Sequence, residues 1–164
     1  MKSGEADLDD YDVMPCAAGD LGEADLTACV DLIAEGNAVD PISARRTLPN
    51  AIVLAVARKD GRIVGIGAVK PVRAGYAAHT AEESQFSFDP ETPELGYIAV
   101  NPVHRNKRLS SRIVSALTSQ HQGPLFARTS DARMKSALKK AGFGQPGDEW
   151  EGLRGDSLSL WIRE

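Results

Sequence analysis

The chain is poor in the residues that build metal sites. It contains two cysteines, Cys16 and Cys29, without CxxC spacing, and its three histidines are scattered along the sequence. This distribution argues against a metal site. Cys29 falls within a segment whose apolar residues recur at helical spacing, so we interpret it as a small buried hydrophobic residue and not as a catalytic thiol.

Long apolar runs and an excess of positive charge are absent as well. No stretch approaches the roughly 20 consecutive apolar residues of a membrane-spanning helix, and the acidic start lacks the character of a signal peptide. The formal net charge of −4 argues against general nucleic-acid binding, which requires a broad basic surface. We therefore expect a cytoplasmic protein that acts without a membrane and without a nucleic acid.

The length of the chain, 164 residues, suits one domain with a substantial core. Residues 1–10 are acidic and poor in large apolar side chains, which predicts a mobile tail. Residues 11–164 contain no internal repeat or low-complexity segment, and we expect them to form a single domain. We expect this domain to be a monomer or a homodimer.

The periodicity of the apolar residues predicts an alternation of strands and helices. Strands are predicted at residues 11–16, 51–57, 63–72, 95–100, 125–128 and 157–164. Helices are predicted at residues 22–35, 40–48, 109–122 and 131–141. Asp40 is the predicted N-cap of the second helix, and an Asp-Gly pair at residues 60–61 predicts a hairpin turn. Elements in this order build a mixed sheet in three layers, an α/β or α+β fold.

Two segments lack a clear period and are predicted to be loops. Residues 73–93 combine glycine, prolines and a few aromatics, which predicts a long connection that we expect to lie over a substrate site. Residues 144–155, around Trp150, are also predicted to be a loop.

The stretch from residue 94 to residue 117 has the strongest functional pattern. An apolar strand ends at the turn 101–102, a basic loop covers residues 104–108, and an amphipathic helix follows. A helix N-terminus presents unpaired backbone N–H groups and the positive end of the helix dipole. Positive charge is added beside it by Arg105, Lys107 and Arg108. This order of strand, cationic loop and helix predicts the binding of a small anion such as a phosphate.

The loop sequence RNKRLS at residues 105–110 resembles Q/R-x-x-G-x-G/A, the pyrophosphate loop in motif A of the GNAT superfamily. Residues 100–102 resemble the V-x-P that often precedes this loop, and DARMKSALKKAGF at residues 131–143 resembles motif B. The resemblance implies the GNAT fold, with a mixed central sheet of six or seven strands flanked by about four helices. It also implies an N-acetyltransferase that transfers the acetyl group of acetyl-CoA directly to an amine in a ternary complex.

The same resemblance assigns residues to the coenzyme. Backbone groups of the central strand would pair with the pantetheine arm, and backbone N–H groups of the loop would hold the pyrophosphate. The residues implied for acetyl-CoA are Ile98, Ala99, Val100, Arg105, Asn106, Lys107, Arg108, Leu109, Ser110 and Ser111. The amine acceptor would be a small molecule or a protein.

Glu94 is the candidate general base or water relay. Neutralising a lysine-like amine with a pKa of about 10.4 costs roughly 4 to 5 kcal/mol at pH 7, so a nearby base is valuable. In the glutamate-base branch of the family, the base precedes the Q/R position by the distance that separates Glu94 from Arg105. Strand alternation predicts Tyr97 on the opposite face and predicts that Glu94 shares its face with Gly96, Ile98 and Val100. The alternative interpretation is a solvated glutamate at a strand edge.

Two positions depart from the motifs of the family. Arg108 stands where the loop has its first glycine, so its side chain would have to point outward for the backbone to approach a phosphate. Leu138 stands where many members have the tyrosine that protonates the leaving thiolate. The candidate replacements for this acid are Tyr97, Tyr76, His79 and Ser130.

These departures support an alternative function, a non-catalytic GNAT-fold protein that binds CoA or a partner protein. A third interpretation is a nucleotide-phosphate-binding module of another α/β type. It is disfavoured because the sequence has no Walker-type or Rossmann-type glycine pattern.

Overall fold

The computed structural model describes residues 10–37 and 39–164, which form seven strands and five α-helices. In chain order the elements are β1 (Tyr11–Cys16), α1 (Glu23–Asn37), α2 (Pro41–Thr47), β2 (Val53–Lys59), β3 (Arg62–Lys70), α3 (Ala74–Ser84), β4 (Glu94–Val100), α4 (Leu109–Gln120), β5 (Leu125–Thr129), α5 (Ala132–Lys140), β6 (Trp150–Glu151) and β7 (Ser157–Arg163). The predicted mixed α/β architecture is confirmed. The predicted mobile tail lies outside the described residues, except for Asp10.

The strands pair in the order β1-β2-β3-β4-β5-β7-β6. Every neighbouring pair is antiparallel except β4 and β5, which are parallel. Parallel neighbours need a crossover connection, and α4 supplies it. The N-terminus of α4 therefore lies at the carboxyl end of β4. Among the described residues, no helix has the length and apolarity needed to cross a membrane.

Each face of the sheet has its own apolar core. On one face, α4 and α5 bury Ile113, Leu117 and Leu138 against the sheet. The other face is covered by α1 and α2 and contains Ile33 and Cys29, both fully buried. Burial raises the pKa of the Cys29 thiol to about 12, so the thiol stays protonated at neutral pH. This agrees with its interpretation as a buried apolar residue.

Short polar residues set the ends of several elements. The Asp40 carboxylate accepts a hydrogen bond from the Ser43 backbone N–H (3.3 Å) and caps α2, as predicted. Asp60 (φ 52°) and Gly61 (φ 79°) form the two-residue turn between β2 and β3. Positive φ at both positions is typical of the hairpin turn that the Asp-Gly pair predicts.

The prediction of a long unstructured connection at residues 73–93 is wrong, because Ala74–Ser84 forms α3. This helix contains four alanines among its eleven residues and has few large apolar residues, so its helical period is weak in the sequence. Gln85 ends it in a left-handed conformation (φ 58°). The loop predicted at residues 144–155 also contains a short strand, β6, which pairs Trp150 with Leu158 of β7.

A β-bulge interrupts the pairing of β3 with β4. Ile66 lies opposite Ala99, but Ala68 lies opposite Gly96, so Tyr97 and Ile98 together face Gly67. Tyr97 has the positive φ (57°) of a bulge residue. The extra residue reverses the alternation after Gly96. The predicted faces of Tyr97, Ile98 and Val100 are therefore wrong. Tyr97 and Ala99 join Glu94 on the face of α1 and α2, whereas Ile98 and Val100 pack on the face of α4.

Gly67 leaves the space that the bulge occupies. A Cβ atom at this position would lie 2.5 Å from Cγ2 of Ile113 and 2.6 Å from Cδ1 of Ile98. Both neighbours are constrained, because Ile113 is fully buried and Ile98 belongs to the bulge. The absence of a side chain at residue 67 is therefore a condition for β4, its bulge and α4 to pack together.

We predict that Gly67→Ala lowers the free energy of unfolding by about 1–3 kcal/mol, because the added methyl overpacks this contact. Urea denaturation measures the change. Gly75→Ala is the matched control, since a Cβ atom there meets nothing within 4 Å and alanine favours the helix. Equal stability of Gly67→Ala and the wild type would contradict this account of the bulge.

Candidate active site

An opening forms where β4 and β5 separate. The two strands are in register at one pair, Glu94 and Phe126, and the Phe126 N–H donates to the Pro93 carbonyl (3.1 Å). Beyond this pair, β4 continues without a registered neighbour on its β5 side in the described part of the chain. The Asn101 N–H donates to Val64 of β3 (2.8 Å). By strand alternation, the peptide groups of Val100 then point toward the opening.

The basic loop closes the far end of this opening. Arg105, Asn106 and Arg108 are exposed, and Lys107 is half-buried. Helix α4 begins directly after them with Leu109, which is buried and fixes the first turn to the core. Ser110 and Ser111 lie in the same turn, half-buried. Cationic side chains of the loop and the N-terminal amides of a twelve-residue helix therefore lie together at the far end of the opening.

Arg108 adopts the backbone conformation that glycine favours. Its φ and ψ are 59° and 23°, in the left-handed region, and its side chain is exposed. The side chain is therefore not buried within the loop, as the approach of the backbone to a phosphate requires. An L-residue with a side chain is strained in this region by about 1 kcal/mol.

Strand β1 holds the loop in position from outside the motif. The Tyr11 hydroxyl and Nδ1 of His104 are 2.8 Å apart, and the two rings pack edge to face. The Arg112 guanidinium of α4 donates to the backbone carbonyl of Tyr11 (3.3 Å). Tyr11 therefore links both sides of the loop to the edge of the sheet.

Glu94 lies at the apex of the opening, and it is not solvated. It is 6% exposed, so its interpretation as a solvated edge residue is wrong. The Lys70 ammonium donates to its Oε1 (2.6 Å), and the Tyr76 hydroxyl donates to its Oε2 (2.8 Å). The carboxylate is thus paired with an ammonium and a phenol. Both its charge and its hydrogen-bonding capacity are thereby matched.

Two tyrosine rings complete the surroundings of Lys70. Its Nζ lies 4.7 Å from the ring centre of Tyr97 and 5.9 Å from that of Tyr76. The Tyr97 hydroxyl pairs with the Thr47 hydroxyl at 2.7 Å. Burial raises the pKa of the Tyr76 phenol, and the charge of Glu94 raises it further. Tyr76 therefore remains a hydrogen-bond donor at neutral pH.

The other two candidate acids are exposed, unlike Glu94. His79 lies on α3, with its Nε2 atom 3.9 Å from Oε1 of Glu83. Ser130 lies before α5. Leu138 is fully buried and has no group that donates a proton.

Sequence reasoning missed Lys70, and it considered Tyr76 only as an acid. Lys70 lies directly opposite Glu94 in the β3–β4 register, and that register depends on the bulge. Tyr76 approaches Glu94 from α3, a helix that the sequence did not indicate. The one indication of this site in the sequence was a lysine within a segment that is otherwise apolar.

A shallow depression lies at β6 and β7. It has a volume of about 410 Å³ and is lined by Glu149, Trp150, Glu151, Gly155, Asp156 and Ser157. Its carboxylates would repel a phosphate, and it shares no residue with the opening. We therefore expect the basic loop, and not this depression, to bind an anion.

We predict that Arg108→Gly is more stable than Arg108→Ala by about 1 kcal/mol, because both remove the charge but only glycine relieves the left-handed strain. Chemical denaturation of the two variants measures the difference. A more stable alanine variant would show that residue 108 does not have the conformation described.

The sequence and the fold were compared with those of known proteins. The family model of the acetyltransferase (GNAT) family matches residues 24–143. The comparison with curated proteins gave no match.

Three solved structures with a similar fold are distant in sequence. An acetyltransferase of the GNAT family from Streptococcus agalactiae 2603 superposes with a TM-score of 0.69 at 15% identity, covering 92% of this chain and 94% of that one. A GNAT family acetyltransferase from Elizabethkingia anophelis with acetyl-CoA bound has a TM-score of 0.59 at 15% identity, covering 95% and 99%. The ribosomal-protein-S18-alanine N-acetyltransferase from Escherichia coli has a TM-score of 0.61 at 13% identity, covering 93% of each chain. At these identities the likeness concerns the fold.

Proposed function

Because this chain belongs to the GNAT family of acetyltransferases, we propose that it transfers an acetyl group from acetyl-CoA directly to a primary amine in a ternary complex. The family consists of acyltransferases that generally use acetyl-CoA. The observation that carries the proposal is the opening between β4 and β5, which has the basic loop at one end and the buried Glu94 at the other.

The coenzyme fits the opening by its chemistry. A pantetheine arm is extended and contains amides, so it can pair with strand backbone groups that point to an unoccupied edge, such as those of Val100. The pyrophosphate would lie against the N-terminal amides of α4, with charge from the basic loop. This arrangement places the thioester near the apex, where Glu94 lies. The proposed binding residues are those implied by the resemblance, Ile98 to Val100 and Arg105 to Ser111.

The reaction forms one C–N bond, breaks one C–S bond and moves three protons. The amine arrives as an ammonium ion, and one proton passes to Glu94 directly or through water, which leaves a neutral nitrogen. This nitrogen attacks the thioester carbonyl carbon, becomes positively charged and loses a second proton to solvent as the C–S bond breaks. The thiolate of CoA takes a proton from solvent, which restores the thiol.

Tyr76 gives Glu94 a path to the surface. The carboxylate itself is buried, but Tyr76 donates to it and is 37% exposed. Such a connection forms a proton relay between Glu94 and the solvent. The relay also agrees with the expectation that Glu94 acts as a base or through water.

No dedicated acid is needed for the leaving group. The leaving group is a thiolate whose conjugate thiol has a pKa of about 8.5, so it can leave without being protonated first. Burial and Glu94 raise the pKa of Tyr76, which makes it a weaker acid. We therefore assign the final proton to solvent.

The alternative function is a non-catalytic protein of the same fold that binds CoA or a partner protein. Leu138 favours it, since a proton donor is missing at that position of motif B. The buried carboxylate at the apex does not discriminate between the two functions, because Lys70 and Tyr76 pair it whether or not it is used in catalysis. For the enzyme, the proposed acceptor is the amine of a small molecule or of a protein.

We predict that Glu94→Gln lowers kcat by about 100-fold or more while acetyl-CoA still binds, because glutamine cannot accept the proton. Thiol release from acetyl-CoA measures the rate, and the ligand-induced rise in melting temperature measures binding. Glu91→Gln is the matched control, since Glu91 is exposed three positions upstream and the change should leave kcat intact.

Two results would contradict the proposal at different points. Equal rates in Glu94→Gln and the wild type would reassign Glu94 to structure. The absence of any melting shift at millimolar acetyl-CoA would remove the enzyme interpretation and favour the partner-binding one.

A further inference from the structure

The Lys70 ammonium occupies a site built to hold an ammonium ion. We call the groups around it, the carboxylate of Glu94 and the rings of Tyr76 and Tyr97, the ammonium cage. The carboxylate is 2.6 Å from Nζ, and the two ring centres lie at 5.9 Å and 4.7 Å. A carboxylate with aromatic faces is the combination that recognises cationic amines in proteins.

The walls of the cage are held by contacts that do not involve Lys70. Tyr97 is fixed by the bulge, where its φ is 57°, and by its hydroxyl contact with Thr47. Tyr76 is fixed by its hydrogen bond to Glu94 and by the Arg128 guanidinium, 4.9 Å from its ring centre. The cage therefore keeps its shape when the ammonium inside it is exchanged.

The cage lies where an acceptor amine is needed. Glu94 belongs both to the cage and to the last registered pair between β4 and β5. In the proposed function, the acetyl thioester lies in the opening that starts at this pair. An amine held in the cage would thus lie next to the group that it attacks.

Lys70 can leave the cage without stranding the buried carboxylate, provided that another ammonium takes its place. An unpaired buried charge costs several kcal/mol, but an exchange of one ammonium for another keeps Glu94 paired. Lys70 is the last residue of β3, Pro71 after it is exposed, and its four-carbon stem is flexible. Its side chain is 16% exposed, so the cage borders the solvent.

We infer that the acceptor is a primary alkylammonium on an unbranched methylene stem, as in a lysine side chain or an aliphatic polyamine, and that it displaces Lys70 from the ammonium cage. The inference rests on the proposed function and names its acceptor chemistry. In the absence of acceptor, Lys70 fills the cage. Branched amines, quaternary ammonium ions and anionic acceptors do not fit this exchange.

The test uses Lys70→Ala with n-propylammonium chloride, which replaces the atoms from Cγ to Nζ that the variant lacks. At about ten times the Kd, we expect n-propylammonium to raise the melting temperature of Lys70→Ala by about 3 °C or more. Propan-1-ol, which has no charge, should not. Lys59→Ala is the matched control: Lys59 also pairs with a carboxylate, Asp10, and lies 4.9 Å from a tyrosine ring centre, in Tyr11.

A second measurement uses the wild type and so does not depend on the folding of a variant. In protein labelled with 13C at the lysine Cε atoms, titration with n-propylammonium should shift the Lys70 signal and leave the Lys59 signal in place. An unchanged Lys70 signal, together with no thermal shift in Lys70→Ala, would overturn the inference. Equal thermal shifts in Lys70→Ala and Lys59→Ala would overturn it as well.

Binding of acetyl-CoA is measured in parallel. If acetyl-CoA binds and n-propylammonium has no effect, the cage inference fails and the proposed function stands. If acetyl-CoA does not bind, the proposed function fails, whatever the amine does.

Discussion

The structure depends on the contact between Gly67 and the bulge in β4. Tyr97 and Ile98 share the space opposite one residue, and a Cβ atom on that residue would collide with Ile98 and Ile113. A bulge bends its strand, and β4 leaves the direction of β5 soon after their single registered pair. The same extra residue moves Tyr97 to the face of Glu94. One irregularity of the backbone thus shapes the opening beside β4 and supplies one wall of the ammonium cage.

Electrostatics divide this site into two ends of opposite sign. The loop before α4 combines helix N–H groups with exposed cationic side chains, which suits phosphates. At the other end a buried carboxylate holds an ammonium between aromatic rings. In the proposed reaction an anionic coenzyme meets an amine that arrives as a cation, and the sheet holds an environment for each at opposite ends of one strand. The formal net charge of −4 does not reveal either of these two local charge environments.

Local patterns in the sequence were sufficient for much of the fold. The cap at Asp40, the Asp-Gly turn and the order of strand, basic loop and helix depend on residues close in the chain, and all of them are present. Contacts between elements that are far apart in the chain could not be predicted from these local patterns. The bulge is caused by Gly67 on another strand, so the alternation predicted for β4 failed after residue 96. The pairing of Lys70 with Glu94 depends on that register, and Tyr76 arrives on a helix whose alanine-rich sequence has little apolar period.

Hydrogen exchange at β4 tests the central claim most directly, because it reports on the edge where the coenzyme would pair. In an NMR measurement with saturating coenzyme A, exchange of the Val100 amide should slow. The Asn101 amide, which already donates to Val64, should change little and serves as an internal reference. Unchanged exchange at Val100 while coenzyme A is bound would place the coenzyme elsewhere and contradict the account.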